Sequence, residues 1–201
     1  CALAESSFDP LARTTKFMLT EEAHHMFVGE SGISRVIQRT CEVMNQLKTD
    51  DPESVRAAGV IDLPTIQRYL NFHYSVTIDL FGADQSSNAA IFYGSGLKGR
   101  YEESKRTDDH QLKNDTYRVL TVNNGKLNEV EVPMLNALNE VLRDDFIRDS
   151  VAGIGRWNKV IEKSGIPLRL QVPHKAFNRQ IGTLAGIRMS PEGEILSLIH
   201  I

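Results

Sequence analysis

A carboxylate and an imidazole stand three residues apart at Glu22 and His25, in the middle of a run without helix breakers. On an α-helix this spacing places the two side chains next to each other on one face. Carboxylate oxygens and neutral imidazole nitrogens are both good ligands for iron and related divalent metals. The pair therefore predicts a metal-binding position on a helix.

The motif is doubled, because Glu21 and His24 have the same spacing one residue earlier. A buried carboxylate is costly unless it is paired or bound to a metal. We therefore expect Glu22, with His25, to be buried and to need a cation, while Glu21 and His24 flank the site. The alternative is an ordinary contact on a helix surface, since Glu-x-x-His occurs often by chance. The helical phase favours Glu22 because its face also carries an apolar stripe of Met18, Leu19, Met26, Ile33, Val36 and Ile37.

A complete centre of this kind needs more ligands than one pair. The di-iron centre of ferritin-like four-helix bundles uses two such pairs and a glutamate from each of two other helices. The sequence supplies one pair in the right phase, and it opens at Cys1 without Met, as if inside a helix. We therefore expect the chain to be part of a longer protein.

A long helix from Leu11 to about Lys48 is predicted to carry the pair. Just before it, Asp9 is suited to a helix cap and Pro10 suits the first turn. Gly29 and Gly32 each weaken such a helix by about 1 kcal/mol relative to alanine. They would allow either a close helix approach or a kink.

The remainder of the chain alternates shorter helices with β-hairpins. Residues 94–114 contain glycine and many charges, which predicts a surface excursion. Asn124-Gly125 is a strong hairpin turn between two strand-like runs. The predicted elements are helices at 55–58, 65–81, 88–93 and 134–164, strands at 116–122, 126–132 and 168–172, and a final hairpin around 191–193.

The predicted fold class is mainly α, as part of a ferritin-like di-iron four-helix bundle with additional helices and small β-hairpins. Residues 1–48 form the bundle part with the metal-ligand helix, and residues 49–195 a helical C-terminal region with a hairpin insertion at about 116–132. Residues 196–201 look like the translated end of a transposon-derived sequencing adapter and are predicted to be an artefact. The alternative is a genuine apolar terminal strand.

Composition excludes several classes of function. A net charge of −3 argues against broad nucleic-acid binding. No apolar run approaches the roughly 20 residues that a membrane helix needs, so no membrane partner is expected. Cys1 and Cys41 have neither metal-ligand spacing nor the pattern of a disulfide framework, which favours a reducing cytoplasm.

Other residues with possible chemistry have simpler interpretations. His110 has acidic neighbours and could bind a metal, but it lies in the polar excursion and is expected to be solvated. His73 and Tyr74 lie within a helix between apolar residues, which favours packing. His174 follows a proline, so capping or turn packing is expected there.

Several long strings of residues carry a family resemblance. They are residues 21–30 with 11–17 before them, residues 60–70, and residues 96–101. These strings resemble the oxygenase subunits of benzoyl-CoA 2,3-epoxidases. The resemblance runs from Cys1 to about Leu196, and only the adapter-like tail departs from it.

The resemblance implies a ferritin-like bundle that holds two iron ions. It also implies benzoyl-CoA and O2 as substrates, and electrons from a separate flavin and iron–sulfur reductase that uses NADPH. The product would be the 2,3-epoxide of benzoyl-CoA, in an aerobic route of benzoate degradation. Such enzymes have a second Glu-x-x-His that falls on Glu22 and His25, in agreement with the helical phase.

The same resemblance implies that the other four iron ligands belong to helices that precede Cys1. The chain would then be the C-terminal half of such a subunit without its last segment, inactive by itself. A basic cluster could suit the phosphates of coenzyme A, although interleaved glutamates favour a mixed-charge surface. The members of this cluster are Lys98, Arg100, Lys105 and Arg106.

Three classes of function follow. The first is an oxygenase subunit, the second is a ferritin-like iron-binding protein without oxygenase activity, and the third is a non-catalytic helical binding module. A further Glu-x-x-His upstream would favour the first two over the third. Consumption of benzoyl-CoA with NADPH and oxygen would separate the first from the second.

Overall fold

The structure is a computed structural model that describes residues 2–97 and 115–198. In these ranges the chain forms five α-helices, two short 3₁₀ turns and two antiparallel hairpins. The predicted fold class, mainly α with small β-hairpins, is confirmed. The helices are α1 (Asp9–Leu47), α2 (Pro52–Ala57), α3 (Leu63–Asp79), α4 (Ser87–Gly94) and α5 (Leu138–Lys163), and the strands are β1 (Thr116–Asn123), β2 (Lys126–Pro133), β3 (Ile187–Met189) and β4 (Ile195–Leu198).

The long helix α1 has nearly the bounds that the sequence predicts. It runs for 39 residues, and Lys48 ends it in the left-handed conformation with φ 55°. The N-cap position is occupied by Phe8 rather than Asp9, which lies inside the first turn. Asp9 instead accepts a hydrogen bond from Arg13 at 2.7 Å, four residues along the helix.

The start of α3 confirms the predicted combination of an aspartate cap and a proline. The Asp62 carboxylate accepts a hydrogen bond from the Thr65 backbone N–H at 2.9 Å, and Pro64 lies in the first turn. Asp62 is buried and also pairs with Arg56 at 2.8 Å. Burial alone would raise its pKa, but the hydrogen bonds from Arg56 and Thr65 outweigh burial and lower it.

Four helices, α1, α2, α3 and α5, contribute to the main apolar core. Helices α1 and α5 run in the same direction. Glu30 of α1 contacts Arg156 of α5, and further along both helices Asn45 donates to the Ser164 carbonyl at 2.9 Å. Packing of long helices in this way is how helical bundles are built. The buried core residues are Ile37, Cys41 and Met44 of α1, Val55, Leu63, Ile154 and Ile161 of the other helices, and Leu170.

The predicted hairpin at 116–132 is confirmed in place and register. Its turn residues Asn124 and Gly125 have φ of 51° and 73°, the left-handed values that a two-residue type I′ turn requires. Residues of β1 and β2 pack against a second apolar cluster beside the β3–β4 hairpin. The buried members of that cluster are Ala176, Leu184, Ile187 and Met189.

The strand predicted at 168–172 is wrong. This segment pairs with no strand of the described residues, and side-chain amides bond its backbone instead. Asn158 both donates to and accepts from the Leu170 backbone at 2.8 Å. Gln67 does the same for Gln171, at 2.8 and 2.7 Å.

Two other predicted boundaries need correction. The helix expected from Met134 begins as a 3₁₀ turn, Met134–Ala137, and becomes α-helical only at Leu138. Residues 196–198 belong to β4, so this part of the tail is a strand, as the alternative interpretation of the tail predicts. That the tail derives from an adapter remains a prediction.

Several predictions fall outside the described residues. These are the charged part of the excursion, His110, the basic cluster from Lys98 to Arg106, Cys1, and the last three residues of the tail. Among the helices of the described ranges, none is long and apolar enough to cross a membrane.

Candidate metal centre

The structure brings Glu22 and His25 together on one face of α1. His25 Nδ1 lies 3.7 Å from Glu22 Oε1, close enough for both atoms to approach one metal ion. The distance is too long for a direct hydrogen bond. Because α1 is continuous through this region, its helical repeat alone produces the pairing.

The predicted burial of this pair is wrong for the described chain. The side chains of His25 and Glu22 are 64% and 58% exposed. Residues 16–29 are all exposed, whereas Ile37, at the other end of the predicted apolar stripe, is completely buried. The stripe is covered only where α3 and α5 reach it, so helical phase by itself does not determine burial.

The exposed half of α1 is nevertheless strongly apolar. Isolated exposed apolar side chains are common, but a contiguous set usually marks a surface that contacts another protein element. The set lies on the turns immediately before and after the candidate ligands. Its members are Phe17, Met18, Leu19, Met26, Phe27 and Val28.

The donors present fit iron in type but not in number. Glu22 and His25 offer one carboxylate and one imidazole, the mixture that iron accepts. The His24 ring lies 6.3 Å from the His25 ring, on the flanking face. Across residues 2–97 and 115–198, no group of three or more histidine, cysteine, aspartate or glutamate side chains could hold a metal. Further ligands would have to come from outside these ranges.

A second feature of α1 lies where the exposed half meets the core. Glu30 is contacted by the guanidinium of Arg156 through two hydrogen bonds, one from Nε and one from Nη2 at 2.7 Å. The indole N–H of Trp157 donates to the Glu30 carbonyl at 3.2 Å. The Arg156 hydrogen bond is the main cause that lowers the pKa of Glu30, so its carboxylate is ionised at neutral pH.

Two open grooves extend the apolar surface of α1 towards α3 and α5. One, of about 720 Å³, lies between all three helices, and the other, of about 940 Å³, reaches Met26 beside His25. Tyr74 lines the first groove and stacks on Phe146, as its predicted packing role requires. The residues that line both grooves are Ile33, Phe146, Ser150, Gly153 and Trp157.

Comparison with known proteins gives one close match. The chain is 63% identical over 196 residues to benzoyl-CoA oxygenase component B of Aromatoleum evansii. The chain is a close relative of this oxygenase component. The match covers 98% of the chain and 41% of the relative, so the chain spans about two fifths of the length of component B. No protein-family model matches the chain.

The match confirms the resemblance predicted from the sequence. The mainly α architecture, with the two long helices α1 and α5, agrees with the relative's being an oxygenase component. The relative's name also implies at least one further component in its oxygenase system. Neither the match nor the geometry tests Glu22 and His25 as ligands, and this assignment remains a prediction.

A buried cluster of charges near the end of α3 is absent from the sequence predictions. Asp84 Oδ1 accepts from Arg143 at 3.0 Å and from Arg179 at 3.1 Å. Asp84 Oδ2 accepts from the backbone and hydroxyl of Thr183 at 2.7 and 2.8 Å. Arg179 also donates to Asp79 at 2.7 Å. Both arginines are almost completely buried, with 0% and 1% exposure.

The cluster continues from Arg143 to the edge of the molecule. Arg143 pairs with Glu140, whose other oxygen accepts from Lys175 at 2.8 Å. Lys175 also donates to Asp144 at 3.1 Å, and the Tyr117 hydroxyl donates to Asp144 at 2.9 Å. The cluster therefore joins β1, α3, α5 and the segment around residue 180 through paired charges.

Pairing determines the charge states in this cluster. Burial would raise the pKa of Asp84, but the hydrogen bonds from Thr183 and the charges of Arg179 and Arg143 outweigh burial and lower it. Burial would also lower the pKa of Lys175, which neighbouring carboxylates raise instead. Only the i, i+3 spacing of Glu140 and Arg143 was visible in the sequence, and that spacing is typical of surface pairs.

Proposed function

We propose that the chain contributes an iron-binding helix to the oxygenase component of a system that epoxidises benzoyl-CoA. The supporting observation is that Glu22 and His25 meet on the exposed, apolar half of α1, in a chain 63% identical to component B. The proposed reaction uses O2 and forms the 2,3-epoxide, as a step in aerobic benzoate degradation. Its electrons come from a flavin and iron–sulfur reductase that uses NADPH.

In this proposal Glu22 and His25 would hold one of two iron ions, as a carboxylate and an imidazole ligand. Iron, when bound, supplies the activation of dioxygen. The protein orients the two ligands on a rigid helix and supplies the apolar surroundings. Further helices would cover Phe17, Met26 and Phe27, exclude water and add the missing ligands. The cytoplasmic location remains a prediction.

The ligand assignment can be tested in a chimera. The matching 196 residues of the Aromatoleum evansii component B are replaced by this chain, which 63% identity makes practicable. Glu22→Ala and His25→Ala should each remove at least about half of the bound iron, because a ligand is lost from a site that depends on a complete donor set. Iron is measured by atomic emission on the purified protein.

Glu21→Ala and His24→Ala provide the matched control, since they lie one residue away on the flanking face. They should leave the iron content unchanged. If both ligand variants keep full iron and normal NADPH-dependent turnover of benzoyl-CoA, the assignment is wrong. If the unmodified chimera binds iron but does not consume benzoyl-CoA, a ferritin-like iron-binding protein without oxygenase activity becomes the better description.

A further inference from the structure

The larger of the two grooves lies on the helix face that carries the candidate ligands. It has a volume of about 940 Å³, and on α1 it is lined by Met26, Gly29, Glu30 and Ile33. This volume falls in the range of roughly 300–1,000 Å³ that small-molecule sites occupy. Because successive helical residues are about 100° apart, Glu22, Met26, Gly29 and Ile33 fall within a sector of about 60°. The groove and the candidate ligands therefore share one face of α1.

Gly29 leaves the groove open at its end beside His25. Among the described residues, a Cβ atom at Gly29 or Gly32 would meet nothing within 4 Å beyond the helix's own backbone. The close helix approach considered for these glycines therefore does not occur in the described ranges. Side chains on a helix lean toward its N-terminus, over the turn that precedes them. A side chain at position 29 would cover the surface next to His25, four residues earlier, and its absence extends the groove to that point.

The facing wall of the groove, on α5, is apolar and aromatic. Leu142, Phe146 and Trp157 line it, and Gly153 adds no side chain to it. Phe81 lines the same groove, with its ring centroid 5.7 Å from that of Phe146. Aromatic rings pack favourably on one another, either offset or edge to face. A planar aromatic group is therefore the kind of ligand that this wall suits.

One edge of the groove is polar. Asp145, Asp149 and Arg156 follow one another along one side of α5, at spacings of four and seven residues. Arg156 is also bound to Glu30 of α1. Sites for small molecules are mostly apolar, with a few polar groups that fix the orientation of the ligand. This edge suits the thioester and amide groups of a coenzyme A arm, while a ring enters the apolar part.

We propose that the larger groove seats the aromatic ring of the acyl-CoA substrate, and that Gly29 keeps open its end beside His25. This inference rests on the proposed function for the identity of the acyl group. Gly29 and Gly153 are specificity-determining residues, because their missing side chains leave the space that the ring occupies. The smaller groove begins on α1 at Ile33 and so lies farther from the candidate ligands.

The test locates the ring by photolabelling, without turnover. The probe is 4-azidobenzoyl-CoA, whose ring carries an azide that reacts with neighbouring side chains when it is illuminated. The chimera that contains this chain is illuminated with the probe in the absence of reductase and NADPH, and mass spectrometry identifies the labelled residues. The label should fall within residues 26–33 or 142–157, and an excess of benzoyl-CoA should suppress it.

Gly29→Leu should reduce the labelling at least about fivefold, because the ring can enter the filled groove only if the site repacks. Gly29→Ala adds a single methyl group and should change the labelling by less than about twofold. Gly32→Leu is the matched control, since Gly32 is also exposed on α1 and lines neither groove. Leucine favours a helix over glycine at both positions, so a difference between the two leucine variants does not come from a weakened helix.

A second pair of variants repeats the comparison on α5. Gly153 lines the groove, whereas Gly155 is exposed and lines neither groove. Gly153→Leu should reduce the labelling at least about fivefold, and Gly155→Leu should leave it unchanged. This pair decides the question if Gly29→Leu does not fold. Circular dichroism establishes that each variant keeps the helix content of the unmodified chimera.

A label confined to residues 61–77 would place the ring in the smaller groove and overturn the inference. Full labelling of both Gly29→Leu and Gly153→Leu, at unchanged helix content, would also overturn it. An equal loss in Gly32→Leu would do the same, because the effect would then not be specific to the groove.

The labelling reaction needs neither iron nor oxygen. Loss of the iron-ligand assignment would appear in the iron content of the Glu22 and His25 variants, and the label could still lie in the groove. If the unmodified chimera consumes benzoyl-CoA but its label lies elsewhere, only the inference about the groove fails. If benzoyl-CoA is neither consumed nor able to suppress the label, the proposed function fails and the inference fails with it.

Discussion

Burial determines how much single charged residues contribute to this fold. Asp84 is 2% exposed and pairs with two arginines that have almost no contact with water. Asp9, in contrast, pairs with Arg13 where the side chains are 70% and 79% exposed. The same chemical pair therefore has very different consequences at the two sites, because an unpaired charge can be solvated only at the surface.

Asp84→Ala should lower the free energy of unfolding by about 3–5 kcal/mol, because it leaves Arg143 and Arg179 buried with one partner fewer. Asp9→Ala should cost less than about 1 kcal/mol. Urea unfolding followed by the fluorescence of Trp157, the single tryptophan, measures both. Equal losses in the two variants would contradict a stabilising role for the cluster.

His174 gives the fold a pH dependence. Burial, with the nearby charge of Lys175, lowers its pKa below the usual value of 6.5. Its Nδ1 accepts from the Ala176 N–H at 3.1 Å, as the predicted turn packing requires, and this bond needs the neutral ring. Below about pH 6.5 the unfolded chain binds a proton that the folded chain resists, so stability is lost as the pH falls.

Thermal unfolding between pH 7.5 and 5.5 should therefore show a falling midpoint for the native chain. His174→Asn retains an acceptor near the Nδ1 position and removes the titration, so the slope of the midpoint against pH should become smaller. Lys175 remains charged throughout this range, since neighbouring carboxylates raise its pKa. An unchanged slope in His174→Asn would exclude His174 as the source.

At the scale of elements, α1 combines two different environments in one helix. Its C-terminal part contributes Ile37, Cys41 and Met44 to the core, while residues 16–29 are all exposed. Isolated helices as short as residues 16–29 are marginally stable in water, and packing supplies most helical stability in proteins. The two parts should therefore open independently.

Hydrogen exchange measured by mass spectrometry should show this difference. Backbone amides of residues 16–29 should exchange at least about tenfold faster than those of residues 37–47, because they open without breaking core contacts. Gly29→Ala with Gly32→Ala should slow exchange in the first group more than in the second. Uniform protection along the helix would show that α1 opens as one unit.

The segment 168–172 illustrates how tertiary contacts can satisfy backbone groups in place of a neighbouring strand. Asn158 and Gln67 each satisfy the N–H and the carbonyl of one residue, as a neighbouring strand would. An alternating apolar pattern in sequence is the same for both arrangements. The sequence therefore predicted a strand where side-chain amides bond the backbone instead.

At the scale of the whole molecule, the charged cluster connects parts that are distant in sequence. Arg143 and Asp84 are 59 residues apart, and Arg179 and Asp84 are 95 apart. Each residue alone is typical of a solvent-exposed position, so no local pattern could indicate the pairing. Only the fold, which brings α3, α5 and the segment near residue 180 together, makes the charges complementary.

The sequence by itself determined the local features. Asn124-Gly125 required a tight turn, Asp62 with Pro64 started a helix, and the spacing of Glu22 and His25 placed both on one helix face. These features depend on contacts within a few residues, which the sequence specifies directly. The family resemblance likewise depended on residue order alone, and the match to component B confirms it.

Tertiary structure decided which surfaces are covered. The apolar stripe beside Glu22 is buried at Ile37 and exposed at Met26, although the helical pattern is the same at both positions. Likewise, only the fold showed that Glu30 meets Arg156 and that Asp84 is surrounded by two arginines. Burial and long-range pairing depend on what packs against a residue, and a periodic sequence pattern carries no information about the neighbour.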